Sequence, residues 1–171
     1  MQNVNTDGWK DFFVAVAGAA SALTGLVFVA LSINLAKILE IPGLAARAGE
    51  TIILLSAALL SALIALIPDL SAQTLGLALG VVGLIAWFAP LVLQIAAGRA
   101  RQYQTRRQFL VRVLLHQAAT IPFLLASLSL LGLTAGGIYW LALGIILALA
   151  VGLQNAWVLL VEILRLSLIH I

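Results

Sequence analysis

Five long apolar runs, residues 12–38, 51–67, 74–97, 113–131 and 138–164, dictate what this chain can become. Crossing about 30 Å of hydrocarbon takes roughly 20 apolar residues, with a lower limit near 17, so each run is long enough to span a bilayer. Backbone amides in lipid have no water to bond. Each run must therefore satisfy its own amides, and long Leu/Ala-rich stretches without alternation do so as helices. The expected fold is all-α, an integral membrane bundle of five transmembrane helices forming a single domain over residues 1–165. Composition agrees, because only 9% of the residues are charged, against about 25% in soluble domains.

The boundaries carry ordinary signals. Pro68-Asp69 ends the second run, since the residue before a proline is pushed out of the helical region. The break "GLTAGG" supplies Gly132, Gly136 and Gly137, which can adopt positive φ between the fourth and fifth helices. Pro90 and Pro122 lie inside runs, where membrane helices tolerate them. The opening "MQNVNTDGWKDFF" is mildly acidic and the run after it exceeds a signal core, so the first segment is expected to remain as an anchor.

An odd number of spans assigns every loop to one of two faces. Lys37, Arg47, Arg99, Arg101, Arg106, Arg107, Arg112 and Arg165 fall on one face and only Lys10 on the other, eight cations against one. Cytoplasmic loops are enriched in Lys and Arg, which predicts an external N-terminus and a cytoplasmic C-terminus. On this reading Arg99, Arg101, Arg106, Arg107 and Arg112 label the inner face and attract anionic lipid headgroups there. A nucleic-acid surface would need interleaved aromatics or a known module, and Tyr103 and Phe109 alone do not supply them. No nucleic-acid partner is expected.

Helices in lipid associate through small residues that let backbones approach and through polar side chains that bond across. The third run has such a face in Gly76, Gly80, Gly83, Trp87, Pro90 and Gln94, and the fifth in Gly144, Ala148, Gly152, Asn155 and Glu162. The first offers Gly18, Ser21, Gly25 and Ser32, and the fourth His116, Thr120, Phe123 and Ser127. These faces should point into one bundle or towards a partner.

Counted inward from the cationic ends, Asn34, Gln94, His116, Gln117 and Glu162 fall within about 5–8 Å of one plane at 1.5 Å per residue. Gln154 and Asn155 come out deeper, near mid-membrane. Together they form a candidate polar layer, either a cytoplasm-facing cavity with His116 and Glu162 as titratable groups or a set of interfacial and interhelical contacts. Reaction chemistry finds little material. Metalloprotease and nucleophile-elbow motifs, a phosphate-binding glycine loop and an intramembrane aspartate pair are all missing, and nothing in the spacing ties His116 to Ser32 or Ser56. Without cysteine, thiolate metal sites are excluded. The chain is read as a non-enzyme with no cofactor and no metal.

The stretch "WKDFFVAVAGAASALTGLVFVALSINLAKILEIPGLAARAGETIILL" resembles the opening of a family of small bacterial multi-pass membrane proteins, which start with Trp-x-Asp/Glu-Phe-Phe and an Ala/Gly-rich helix. The ending "NAWVLLVEILR" is similar to theirs, so the likeness covers most of the chain. Some members are labelled modulators of a membrane-bound AAA protease. The resemblance implies a bacterial inner-membrane location and matches Trp9, Phe12, Asn34, Asn155 and Glu162 to recurring positions; it carries over no catalytic residue. The last six residues, "LSLIHI", are apolar where a cytoplasmic tail should be polar and resemble translated sequencing adapter, so residues 166–171 are suspected of being non-native.

The functional expectation is an accessory or regulatory protein that acts through helix–helix contacts with another membrane protein or with itself. The alternative is a small homo-oligomeric channel or transporter with the polar layer as its vestibule, although the five spans show no evident inverted repeat.

Overall fold

Helices take up the chain almost from end to end. In this computed structural model the backbone is described over residues 7–41, 43–99 and 106–169, and side chains over 8–41, 43–96, 107 and 109–161. A 3-10 turn, Asp7–Trp9, leads into α1 (Lys10–Ile33), followed by α2 (Leu35–Glu40), α3 (Leu44–Ala65), α4 (Ala72–Arg99), α5 (Arg106–Leu130) and α6 (Ile138–Ile169). All but the short α2 are long and apolar enough to cross a membrane. The chain is an all-helical, multi-pass membrane protein.

Several boundaries differ from expectation: the first span breaks at Asn34, the second and fourth begin seven residues early, at Leu44 and Arg106, and the fifth runs on to Ile169. The first span does not run unbroken to residue 38, because it stops at Asn34, whose backbone leaves the helix at φ −107° and ψ 15°. The Asn34 side-chain amide donates to the carbonyl of Ala30 at 2.9 Å, a local bond that competes with helix continuation. The second span begins at Leu44, behind Gly43 at φ +82°, so Arg47 and Glu50 lie inside α3 and not in a connection.

The other connections follow the sequence signals. Asp69 takes φ +56°, in a region that Asp enters more readily than most residues. Ser71 Oγ then accepts the Thr74 amide at 3.1 Å and caps the start of α4. Gly132, Gly136 and Gly137 have φ of +83°, +113° and +50°. Ser129 ties this turn together by accepting the Gly137 amide at 2.6 Å and donating to the Thr134 carbonyl at 2.9 Å. Both α4 and α5 continue through their internal prolines, and α6 runs on to Ile169, into the apolar tail.

Helices α3 to α6 close a four-membered ring. In it α3 touches α4 and α6, and α5 touches the same two, which leaves α3 and α5 on one diagonal. α1 packs outside the ring, mainly against α3 and marginally against α6. The share of buried residues in the apolar 18-residue stretch of each helix shows the consequence, 56% in α3 against 17% in α1. Phe13, Val16 and Ala20 are the α1 side chains that reach the core.

Small residues decide how closely the ring closes. A methyl group added at Gly76 would lie 3.1 Å from Leu130 Cβ, at Gly80 2.7 Å from Ser127 Oγ, and at Gly83 3.1 Å from Leu124 Cδ2. These pairs step in opposite directions along α4 and α5, so the two helices are antiparallel. Ser127 Oγ also donates to the Gly76 carbonyl at 2.7 Å, a bond between helices that needs this close approach. Gly144 meets Phe123 and Gly152 meets Leu55 in the same manner.

The first small-residue face does not take part. Gly18 and Gly25 have no neighbour within 4 Å of an added methyl group, Ser21 is exposed, and Ser32 bonds its own helix at the Phe28 carbonyl. Of the seven glycines expected to pack, these two fail inside the chain because α1 turns its bulkier Phe13/Val16/Ala20 side to the ring.

Candidate functional site

The ionisable centre of the molecule is a pair that joins the ring's diagonal. Glu50 on α3 is fully buried and Arg112 on α5 is 8% exposed; Arg112 Nε donates to Glu50 Oε2 at 2.9 Å. Burying either charge alone is prohibitive, and the pairing offsets part of that cost, while the second carboxylate oxygen of Glu50, Oε1, is buried without a hydrogen bond. α3 and α5 approach each other closely at few points, and this ion pair joins them.

Polar side chains gather around the pair. His116, one turn further along α5, is 1% exposed and bonds through Nε2 to the Ala86 carbonyl of α4 at 3.0 Å. Gln94 on α4 is fully buried, and its amide makes no hydrogen bond to the protein. Continuing the α4–α5 register from Gly83 opposite Leu124 brings Gln94 level with Arg112. Thr120 and Thr51 are also buried, and each bonds a carbonyl four residues back, at 2.9 and 2.8 Å.

Beside this layer a cavity of about 560 Å³ opens on the flank of the bundle, lined by Arg47, Arg107, Val111, Arg112, Leu115, Gln154, Asn155 and Val158. α3 supplies Arg47, α5 the next four and α6 the last three. Arg112 is shared, since it both holds Glu50 and borders the cavity. The arginines thus meet at one end of the bundle. At the other end Trp9 stacks edge-on against Tyr139 at 5.0 Å, placing the start of α1 and its Lys10 beside the start of α6. Trp9 also meets Phe12 at 5.8 Å, an aromatic cluster of the kind found at membrane interfaces.

The expected polar layer divides among three places. Gln94 and His116 are sealed in the ring with the ion pair. Gln154 and Asn155 line the cavity alongside Arg47 and Arg107. Asn34 lines a small separate pocket of about 30 Å³ between α1 and α6. Gln117 is half-buried. The Glu162, Arg99 and Arg106 side chains, and all of Arg101, lie outside the described residues.

Arg112 corrects its first assignment. Grouped with the loop arginines by charge, it turns inward because α5 begins at Arg106 and position 112 falls on the face of His116, Thr120, Phe123 and Ser127. Glu50 is the buried acid of the site that charge counting missed. Its signal was the spacing Glu50, Leu54, Ala57, Ser61, alternately four and three, a face that is buried throughout.

Among the described residues no three His, Asp or Glu side chains come together as a metal ion would require. The arrangement can hold an anion, because guanidinium groups and carboxamides converge on a recess with apolar walls. Comparison with protein families, curated proteins and solved structures yields no match to this chain.

Proposed function

We propose that this is a multi-pass protein of the bacterial inner membrane that works as an accessory or regulatory component, docking laterally on another membrane protein or on a second copy of itself. The observation that supports this is the face of α1 carrying Gly18, Ser21 and Gly25. The equivalent faces of α4, α5 and α6 are filled from within the chain, while this one is exposed. Lipid provides no hydrophobic drive between helices, so a smooth small-residue face acts through the close approach it allows to an incoming helix. The resemblance of the chain's opening and ending to small bacterial membrane proteins supports the same reading. A channel or transporter would draw support from polar side chains gathered in one cavity; here they divide among three places.

The chain has no cysteine, so single cysteines report cleanly. Cysteine in place of Ser21 is expected to crosslink in native membranes to a defined partner or to its own copy, and cysteine in place of Leu77, exposed on α4, is not. Recovery of only uncrosslinked monomer at Ser21 would end this reading.

The eight-to-one segregation of Lys and Arg supports an N-terminus outside and a C-terminus in the cytoplasm. Cysteine at Thr134, in the exposed glycine turn, should react with an impermeant maleimide in intact spheroplasts. Cysteine at Lys37 should react only after permeabilisation; the reverse pattern would invert the proposed topology.

A further inference from the structure

We propose that the cavity at the arginine end is a binding site for the phosphate head of an anionic membrane lipid, whose acyl chains leave along Val111, Leu115 and Val158. This stands apart from the docking role of α1, which lies on other residues.

Four observations converge on it. The first is donor chemistry, with Arg47, Arg107 and Arg112 reaching the recess from two helices and the carboxamides of Gln154 and Asn155 from a third. A guanidinium presents paired N–H donors that match phosphate oxygens, and such charge-assisted bonds are the stronger kind. The second is charge. Three arginines line the cavity, and the Glu50 carboxylate engages one of them, Arg112.

The third is size, because about 560 Å³ falls within the range of roughly 300–1,000 Å³ typical of small-ligand sites. The fourth is the exit. Val111 and Leu115 are 48% and 37% exposed, so the apolar wall continues onto the lipid-facing surface of the bundle. A soluble anion would have no use for that wall. A phosphate carried at the end of acyl chains fits both parts.

The Glu50–Arg112 pair gives the site its rigidity. Glu50 fixes the guanidinium through Nε, which orients a residue whose flexible chain would otherwise lose entropy on binding. The site is therefore built before the lipid arrives, in contrast to the diffuse attraction of surface cations for anionic headgroups.

The test is a titration of the purified full-length protein, in neutral detergent, with fluorescently labelled phosphatidylglycerol. Saturable binding at one site is expected, resisting competition by equal phosphatidylcholine. Arg107→Ala and Asn155→Leu should each weaken it roughly tenfold, as befits loss of one contact to a charged group. Arg107 is exposed, so its replacement leaves the core intact. Lys37→Ala, which removes an exposed cation away from the cavity, should change nothing. An equal loss with Lys37→Ala would mean diffuse attraction and overturn the proposal, as would unsaturable binding. Displacement of the lipid by millimolar inorganic phosphate would mean that the site takes a free anion, and would overturn the lipid assignment.

Discussion

Arg112→Met is expected to destabilise the protein by about 3–5 kcal/mol, the usual result of removing one partner from a buried ion pair. The cost comes less from the lost attraction than from the carboxylate left behind. Glu50 is fully buried and its Oε2 is bonded to Arg112, so without the guanidinium it faces a medium that cannot solvate it. Glu50→Leu should be similarly severe, leaving a buried cation. The double variant Glu50→Leu/Arg112→Met should return to within about 1 kcal/mol of the parent, because an apolar pair of similar volume often replaces a buried ion pair at little cost. Thermal unfolding of the three variants in the same detergent measures this directly. Single variants as stable as the parent would show that the pair is hydrated, contrary to its burial.

The second large effect is expected at the α4–α5 seam. Gly80→Ala places a methyl group 2.7 Å from Ser127 Oγ, and that hydroxyl is held by its bond to the Gly76 carbonyl. To make room, the helices must separate or the hydroxyl must rotate and give up its acceptor. Overpacking of this kind costs about 1–3 kcal/mol. Gly18→Ala and Gly25→Ala are the controls. Both meet open space, and alanine is the better helix former by roughly 0.5–1 kcal/mol, so in detergent they should be neutral or slightly stabilising. A melting temperature for Gly80→Ala equal to the parent's would mean that the seam is looser than the geometry shows.

Much of this architecture was legible in the residues. The spans declare themselves because lipid demands length and apolarity and forgives little else, and the three loop glycines declare the α5–α6 turn because few other residues take positive φ. The His116, Thr120, Phe123 and Ser127 face was readable from spacing alone, and all four side chains are buried. The site was harder to see. A count of cations treats every arginine as a loop label, and span boundaries drawn at the first charge cut Arg47, Glu50 and Arg112 out of their helices. A helix in lipid continues through a charge when that charge has a partner, and the partner here is 62 residues away, beyond any local pattern. The α1 stripe illustrates a second limit, since small residues show that a face permits close approach without showing whether the occupant belongs to the same chain.

That separation of 62 residues also bears on how the protein is made. α3 leaves the ribosome carrying a carboxylate whose counter-charge has yet to be translated, and at elongation speeds of roughly 5–20 residues per second the wait is on the order of 3–12 s. During that interval Glu50 needs shelter in the insertion channel or at the wet surface. Glu50 meets its partner only once the hairpin of α4 and α5 has followed α3.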